Sequence, residues 1–181
     1  MISLRSKISQ KILNLFFLNE GSDFYVNELA NLIGEDPANV HKKLNQFAEE
    51  GLLAGEFRGK ERYFSLVKDY PFLKEYKKIV LKGFGIERMI KEKVGKLEGV
   101  ESVIIFGSYA KDKLSGGSDI DILVIGDFNS IDLQKILLEV QKLSNREINS
   151  VEMTKEEFDR RKRGDDAFLK DILDKEYIKV L

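Results

Sequence analysis

Apolar residues in the first 50 positions recur at intervals of three and four, which is the period of amphipathic helices. Asp36 followed by Pro37 is typical of a helix N-cap and first turn, while Gly34 and Gly51 are typical of helix ends. The pattern therefore predicts three helices, over residues 4–18, 26–33 and 37–50.

After Gly51 two short segments, 52–58 and 61–66, flank Gly59-Lys60, a pair that favours a two-residue hairpin turn. This order of elements, with the run EEGLLAGEFRGKERYFSL at the junction, resembles the winged helix-turn-helix family. The resemblance implies that the third helix enters the major groove of duplex DNA while the hairpin, or wing, touches backbone or minor groove. The candidate DNA-binding residues are Asn39, Lys42, Lys43, Arg58 and Lys60.

Charge is distributed unevenly along the chain. Residues 1–67 carry 8 basic and 9 acidic groups, a net of −1, which does not favour phosphate binding. The polar faces of this region are then either solvated surface or a site that docks another protein. Residues 68–98 carry a net of +4 and predict two helices, 71–82 and 86–97, as a basic connector, whereas residues 99–181 carry a net of −4.

From Val100 the apolar pattern is that of strands. Residues 103–106 predict a buried strand that ends at Gly107-Ser108, and residues 118–125 predict a second one. The second strand carries Asp119 and Asp121, which point to the same face because alternate residues of a strand share a face. Two like charges side by side are unfavourable, so the pair indicates a bound cation. Two solvated acids at a strand edge are the plain alternative.

The turn at Gly107-Ser108 supplies the other half of a chemical site. A glycine lets backbone N–H groups approach an anion, the dipole of a following helix assists, and the serine adds a hydroxyl donor. A phosphate cradle beside paired carboxylates is what nucleotidyl transfer needs, because magnesium held by the carboxylates neutralises a triphosphate.

The run from Gly107-Ser108 to Ser118-Asp-Ile-Asp121 resembles the nucleotidyltransferase superfamily of the DNA polymerase β type, in its minimal branch. The resemblance implies an α/β (α+β) fold with a small mixed sheet flanked by helices. It implies triphosphate binding by Gly107 and Ser108, with Lys111 and Ser118 as further nucleotide-binding candidates, and metal binding by Asp119 and Asp121. Asp112 stands where the family often has glycine, and its negative charge opposes phosphate binding.

Polymerase β-type sites use a third carboxylate from a neighbouring strand. Residues 146–153 predict that strand, and it contains Glu147 and Glu152. Five positions apart, the two face opposite sides of a regular strand, so only one faces the metal. We favour Glu147, because an apolar residue follows it directly near the start of the strand, as in the family. Its predicted role is both catalytic and metal-binding.

Composition excludes several other classes of protein. The 181-residue chain has no Cys and one His, so it has no disulfide framework, no Cys-based zinc site and no centre that needs two histidines. A formal charge of −1 excludes a histone-like polycation. The apolar runs are too short to cross a bilayer and the N-terminus lacks a signal pattern, so we expect a cytoplasmic protein without a membrane partner.

These patterns predict three parts: a winged helix-turn-helix over 1–67, a helical connector over 68–98 and a nucleotidyltransferase domain over 99–181. The leading hypothesis is an enzyme that uses Mg²⁺ or Mn²⁺ to transfer a nucleoside monophosphate from a nucleoside triphosphate, ATP first, to a hydroxyl on a protein or RNA. The minimal branch is similar to partners of toxin–antitoxin pairs, which implies a toxin protein or a tRNA end as acceptor. The alternatives are a DNA-binding regulator whose C-terminal half only senses nucleotide, and an antitoxin that binds its toxin directly.

Overall fold

The computed structural model describes residues 3–111 and 118–181. Over these residues the fold is mixed α/β and forms two compact units that divide after Ile86. Leu143–Asn145 group with the first unit, and the rest of the described chain from Glu87 onward forms the second. In the described part of the chain, no helix has both the length and the apolar character needed to cross a membrane.

The first unit contains three helices and a small sheet, followed by a fourth helix. Asp36 caps the third helix through its carboxylate, which accepts from the backbone N–H groups of Ala38 and Asn39 at 3.0 and 3.2 Å. This helix therefore begins at Pro37, as the sequence predicts. The elements are α1 (Lys7–Leu18), β1 (Asp23–Tyr25), α2 (Val26–Ile33), α3 (Pro37–Glu49), β2 (Leu53–Arg58), β3 (Glu61–Leu66) and α4 (Leu73–Phe84).

The sheet of the first unit is antiparallel throughout, in the order β1-β3-β2. Strands β2 and β3 form the predicted hairpin, with Arg58 paired to Glu61 across the Gly59-Lys60 turn. Strand β1 was not predicted, because three residues carry no recognisable alternation and only pairing with β3 defines them. Its central Phe24 packs edge-on against Phe16 of α1, with ring centroids 5.3 Å apart. This aromatic contact ties the sheet to the helices.

One predicted helix break was placed wrongly. Gly83 and Phe84 lie within α4, and only Gly85 separates that helix from the next. A glycine inside a helix costs up to about 1 kcal/mol but does not end the helix when its packing supports it.

The second unit has a four-stranded sheet in the order β6-β5-β4-β7. β5 pairs antiparallel with β4 and parallel with β6, while β7 pairs antiparallel with β4. The elements are α5 (Ile86–Val94), β4 (Val100–Phe106), α6 (Gly107–Ala110), β5 (Ile120–Gly126), α7 (Ser130–Ser144), β6 (Ile148–Met153), α8 (Lys155–Arg163), α9 (Ala167–Leu173) and β7 (Ile178–Lys179).

The two faces of this sheet have different neighbours. On one face, Leu123 and Ile125 of β5 form a buried cluster with Phe158 of α8 and Leu169 of α9. On the other face, Glu152 of β6 accepts hydrogen bonds from side chains of α7. Because residues alternate along β5, Asp121 shares the face of Leu123, near the start of the strand. Helices α8 and α9 thus pack on the sheet face that carries Asp121, further along β5 from it.

Candidate active site

Asp119 and Asp121 lie where the sequence places them, at the start of β5. Asp121 is the second residue of the strand, and Asp119 directly precedes the fully buried Ile120. Both aspartates are half-buried, and the negative charge of Asp119 raises the pKa of Asp121. The buried Ile120 between them fixes the register. Both carboxylates therefore project from the sheet face opposite to the face that carries Ile120.

Gly107 provides the space that Asp121 occupies. Phe106, the last residue of β4, pairs with Asp121 across the sheet, and the chain then turns at Gly107 with φ +76°. This φ lies in the left-handed region, which favours glycine. A Cβ at this position would also collide with Oδ2 of Asp121. An L-residue at position 107 would therefore be strained in its backbone and would force the carboxylate of Asp121 to move.

Asn149 is a site residue that the sequence analysis missed. It lies on β6 and is the register partner of Asp121 in the parallel pairing of β5 and β6. Its Nδ2 donates a hydrogen bond to Oδ2 of Asp119 at 3.1 Å, and hydrogen bonding to it also lowers the pKa of Asp121. The amide of Asn149 thus bonds to Asp119 and lies beside Asp121. The alternation of β6 was the available signal, but polar residues occur at many strand positions.

Burial has the largest effect on Asp121 and raises the pKa of its carboxyl above the ordinary value of 3.8. The negative charge of Asp119 raises this pKa further, whereas the hydrogen bond with Asn149 lowers it. A carboxylate that is costly to ionise gains most from a bound cation.

Arg146 is a second residue that the sequence analysis missed. Its side chain is buried, and its Nη1 donates to the backbone carbonyl of Ser118 at 3.0 Å. Burial lowers the pKa of Arg146, and the charge of Asp119 opposes that effect. A guanidinium stays charged in proteins, so Arg146 places a buried positive charge near Asp119. Its hydrogen bond also anchors Ser118, the residue before Asp119.

Glu147 and Glu152 take different positions around β6. Glu147 is exposed and lies one residue before the strand, where its backbone carbonyl accepts from the N–H of Ile120. Glu152 accepts hydrogen bonds from Ser130 at 2.5 Å and Gln134 at 2.9 Å. Among the described residues, no group of three or more acids or histidines is close enough to hold a metal ion. The structure therefore does not bring Glu147 together with the two aspartates, and its role as third carboxylate stays a prediction.

The phosphate-binding candidates lie around α6. Ser108 is in this four-residue helix, Lys111 directly follows it, and both are half-buried. A helix of one turn has only a small dipole, so the expected help from a helix N-terminus is small. The buried Tyr109 contacts Glu87 of α5 through its hydroxyl at 3.4 Å and fixes this turn. Asp112, at the usual glycine position, lies outside the described residues.

The donor set fits a hard divalent cation. Two carboxylates on one face, without nitrogen or sulfur ligands, are what Mg²⁺ uses when substrate phosphates and water complete its shell.

The candidate DNA-binding residues lie on the first unit. Asn39 and Lys42 are exposed on α3, and Lys60 is exposed at the hairpin turn. Arg58 is an ion-pair partner of Asp23 at 2.5 Å and of Glu56 at 3.2 Å, and these carboxylates raise its pKa. Lys43 donates to Gln46 at 2.7 Å. Arg58 and Lys43 are therefore engaged within the protein, while the other three face solvent.

Comparison with known proteins relates the second unit to one family. The profile of the nucleotidyltransferase domain family matches residues 87–179 of the 181-residue chain. A protein of Methanocaldococcus jannaschii that is named as a protein adenylyltransferase is 38% identical over 76 residues, which span 37% of this chain and 76% of the relative.

Similar solved structures show weaker likenesses. A nucleotidyltransferase structure from Sulfolobus solfataricus is 26% identical with a TM-score of 0.28, covering 41% of this chain and 68% of that one. A toxin–antitoxin structure with AMP-PNP is 16% identical with a TM-score of 0.39, covering 52% of this chain and 72% of that one. Both TM-scores are below 0.5, so neither likeness bears on function.

Proposed function

The chain belongs to the nucleotidyltransferase domain family and is a nucleotidyltransferase; from that premise we propose that it transfers AMP from ATP to a hydroxyl on a protein or an RNA. The acceptor oxygen forms a bond to the α-phosphorus, pyrophosphate leaves, and the acceptor loses its proton. Enzymes of this family use a nucleoside triphosphate and a divalent metal ion, and we propose Mg²⁺, with Mn²⁺ as a substitute.

The single observation that carries this proposal is the carboxylate pair against Gly107. Asp119 and Asp121 project from one face, and the turn that follows β4 passes directly over Asp121. The pair would hold the metal ion, which supplies charge neutralisation for the triphosphate. Gly107, Ser108, Lys111 and Ser118 are the proposed triphosphate-binding residues, because they flank the carboxylates in the chain.

A protein acceptor is the first choice, because the Methanocaldococcus relative is named as a protein adenylyltransferase. A toxin protein or a tRNA end is the more specific proposal that follows from the resemblance to the minimal branch. In either case Glu147 is the proposed group that takes the proton from the attacking hydroxyl, since it is exposed and lies two residues before Asn149, which bonds to Asp119.

Labelled ATP tests the transfer directly. The full chain is incubated with Mg²⁺ and a lysate, with the label on either the α- or the γ-phosphate. We expect α-label, and no γ-label, on material that is destroyed by protease (a protein) or by ribonuclease (an RNA). Asp119→Asn and Asp121→Asn should abolish labelling, while Asp127→Asn, an exposed acid after β5, should not. Absence of α-label with wild type, with Mg²⁺ or Mn²⁺, would contradict the proposal.

A second candidate function concerns the first unit, which we propose to be a winged helix-turn-helix that binds duplex DNA. Three helices and an antiparallel hairpin in that order support it, as do the exposed Lys42 and Lys60. The chain would then be a regulator, or an antitoxin, whose second unit senses nucleotide or binds a partner. This proposal includes the division of the chain into a winged helix-turn-helix over 1–67, a helical connector over 68–98 and a nucleotidyltransferase domain over 99–181.

The salt dependence of DNA binding tests this candidate. Each phosphate contact contributes about 1 to the slope of log affinity against log salt. Lys42→Ala or Lys60→Ala should lower the slope by about 1, and Lys43→Ala and Arg58→Ala by less, because these side chains already have partners. Lys135→Ala in α7 is the control. If duplex DNA is not retained even at low salt, the first unit is a protein-docking module instead. If the chain binds nucleotide but transfers no α-label, the regulator whose second unit only senses nucleotide is favoured.

A further inference from the structure

The strand next to the aspartate pair presents an amide to it. Asn149 pairs in register with Asp121 on the parallel strand, and its Nδ2 lies 3.1 Å from Oδ2 of Asp119. Neighbouring residues of parallel strands project to the same face. The amide therefore lies on the face that carries both carboxylates.

The chemistry of this side chain suits that position. Asparagine has two N–H donors on one nitrogen, whereas an aspartate of the same shape has none when ionised. A hydrogen bond to an ionised acceptor is about twice as strong as one between neutral groups. The carboxylate of Asp119 that accepts from this amide is held beside its register neighbour Asp121, and the repulsion between the two charges is partly offset.

The charge of the surroundings agrees with this. The buried Arg146, three residues before Asn149, donates to the carbonyl of Ser118 and places its positive charge near Asp119. The start of β6 thus offers donors to the aspartates.

We propose that Asn149 is a positioning residue of the active site, whose amide holds Asp119 in a fixed position beside Asp121 before the metal ion and nucleotide bind. The proposal rests on the proposed function for the identity of the ligand, but the arrangement itself exists without it. Shape alone does not explain the role; the donor does. Replacing the donor by an isosteric carboxylate should therefore be worse than removing the side chain.

The melting temperatures of the metal-free full chain and its variants at pH 7 test whether Asn149→Asp is less stable than Asn149→Ala. Asn149→Ala should lower the melting temperature by roughly 2–4 °C, and Asn149→Asp should lower it further, because a third negative charge replaces the donor. If Asn149→Asp melts at or above the wild-type temperature, a space-filling role is correct and the proposal fails.

A double-mutant cycle locates the effect. Asn149→Ala should cost less than half as much in an Asp119→Ala background as in wild type, because the acceptor is gone. In an Asp127→Ala background its cost should be unchanged. Equal costs in all three backgrounds would overturn the proposal, since Asn149 would then act through other neighbours.

Mn²⁺ binding without nucleotide separates this inference from the transfer reaction. Asn149→Ala should weaken Mn²⁺ binding several-fold, because the pair is no longer pre-arranged, and Asn149→Asp should tighten it by adding a carboxylate ligand. In turnover assays Asn149→Ala should raise the KM for metal–ATP more than it lowers kcat. Unchanged Mn²⁺ affinity in both variants would contradict the proposal even if α-label transfer is intact. Conversely, the melting order holds whether or not transfer is observed.

Discussion

Two features of the structure constrain which residue can stand at position 107. Its φ of +76° is one constraint, and the carboxylate oxygen of Asp121, 2.4 Å from where a Cβ would lie, is another. A glycine after a strand is common, so the sequence shows only the first constraint. The second arises because β4 and β5 pair with Phe106 opposite Asp121.

Gly107→Ala is expected to destabilise the protein by about 2 kcal/mol or more. A left-handed φ costs an L-residue roughly 1–2 kcal/mol, and displacement of Asp121 adds to it. Denaturant unfolding measures the change. Gly83→Ala is the matched control: it lies inside α4 with open space around it, so it should be neutral or stabilising by up to about 1 kcal/mol. Gly107→Ala should cost less in an Asp121→Ala background than in wild type, because the collision is gone; an equal cost in both backgrounds would exclude that contact.

Asp121→Asn is expected to raise stability at neutral pH. Burial raises the pKa of Asp121 in the folded protein, so the fold binds this proton more tightly than the unfolded chain does. The ionised carboxylate therefore destabilises the fold above its folded pKa. That penalty disappears as pH falls through the raised pKa and below the ordinary value of 3.8.

Thermal melts of Asp121→Asn and wild type across pH 7 to 3 measure this effect. The variant should melt higher at pH 7, and the difference should shrink toward zero at the acid end. A difference that grows on acidification would mean that the carboxylate is stabilised in the folded state.

At the scale of elements, β6 decides which side chains reach the site. Residues alternate along it, so Asn149 lies on the aspartate face, while Glu152 lies on the face bonded by α7. Glu152 accepts from two α7 side chains, which gives it a structural role. Glu147 lies just outside the strand and is exposed.

Glu147→Gln is expected to lower turnover by about 10²-fold or more, a range typical of losing a general base. ATP binding should largely persist, because the nucleotide is held by other residues. Glu152→Gln should keep near-wild-type turnover, since its amide oxygen can still accept hydrogen bonds from α7. Single-turnover transfer rates and ATP affinity distinguish the two variants. A large loss in Glu152→Gln with normal Glu147→Gln turnover would show that the wrong carboxylate was chosen.

At the scale of the whole molecule, charge makes nucleotide binding depend on a cation. Residues 99–181 carry a net of −4, and ATP is itself a polyanion. Two ionised aspartates at the site add a local repulsion. ATP should therefore bind poorly without a divalent cation.

Mg²⁺ with ATP is expected to raise the melting temperature by about 5 °C or more. A ligand at 100 times its Kd stabilises the folded state by about 2.7 kcal/mol, which is several degrees for a chain of this size. ATP with a chelator should give little shift, and Asp119→Asn should lose the response. If wild type shows no rise with Mg²⁺ and ATP together, a working nucleotide site in this chain is excluded.

The elements with a strong local pattern were predicted from the sequence. The hairpin of β2 and β3 follows from Gly59-Lys60 between alternating segments, and the start of α3 from Asp36-Pro37. Asp119 and Asp121 needed only the alternation of one strand. These features depend on residues close in the chain, whose period and turn preferences are visible without neighbours.

Only the tertiary structure decided what surrounds the two aspartates. Asn149 and Arg146 are about 30 positions away in the chain, and they reach the site because β6 pairs parallel with β5 in one particular register. β1 likewise exists only through its pairing with β3. A single sequence encodes the tendency to form a strand but not its partner, because pairing depends on long-range packing. The carboxylates were therefore visible in the sequence, whereas the groups that hold them in place were not.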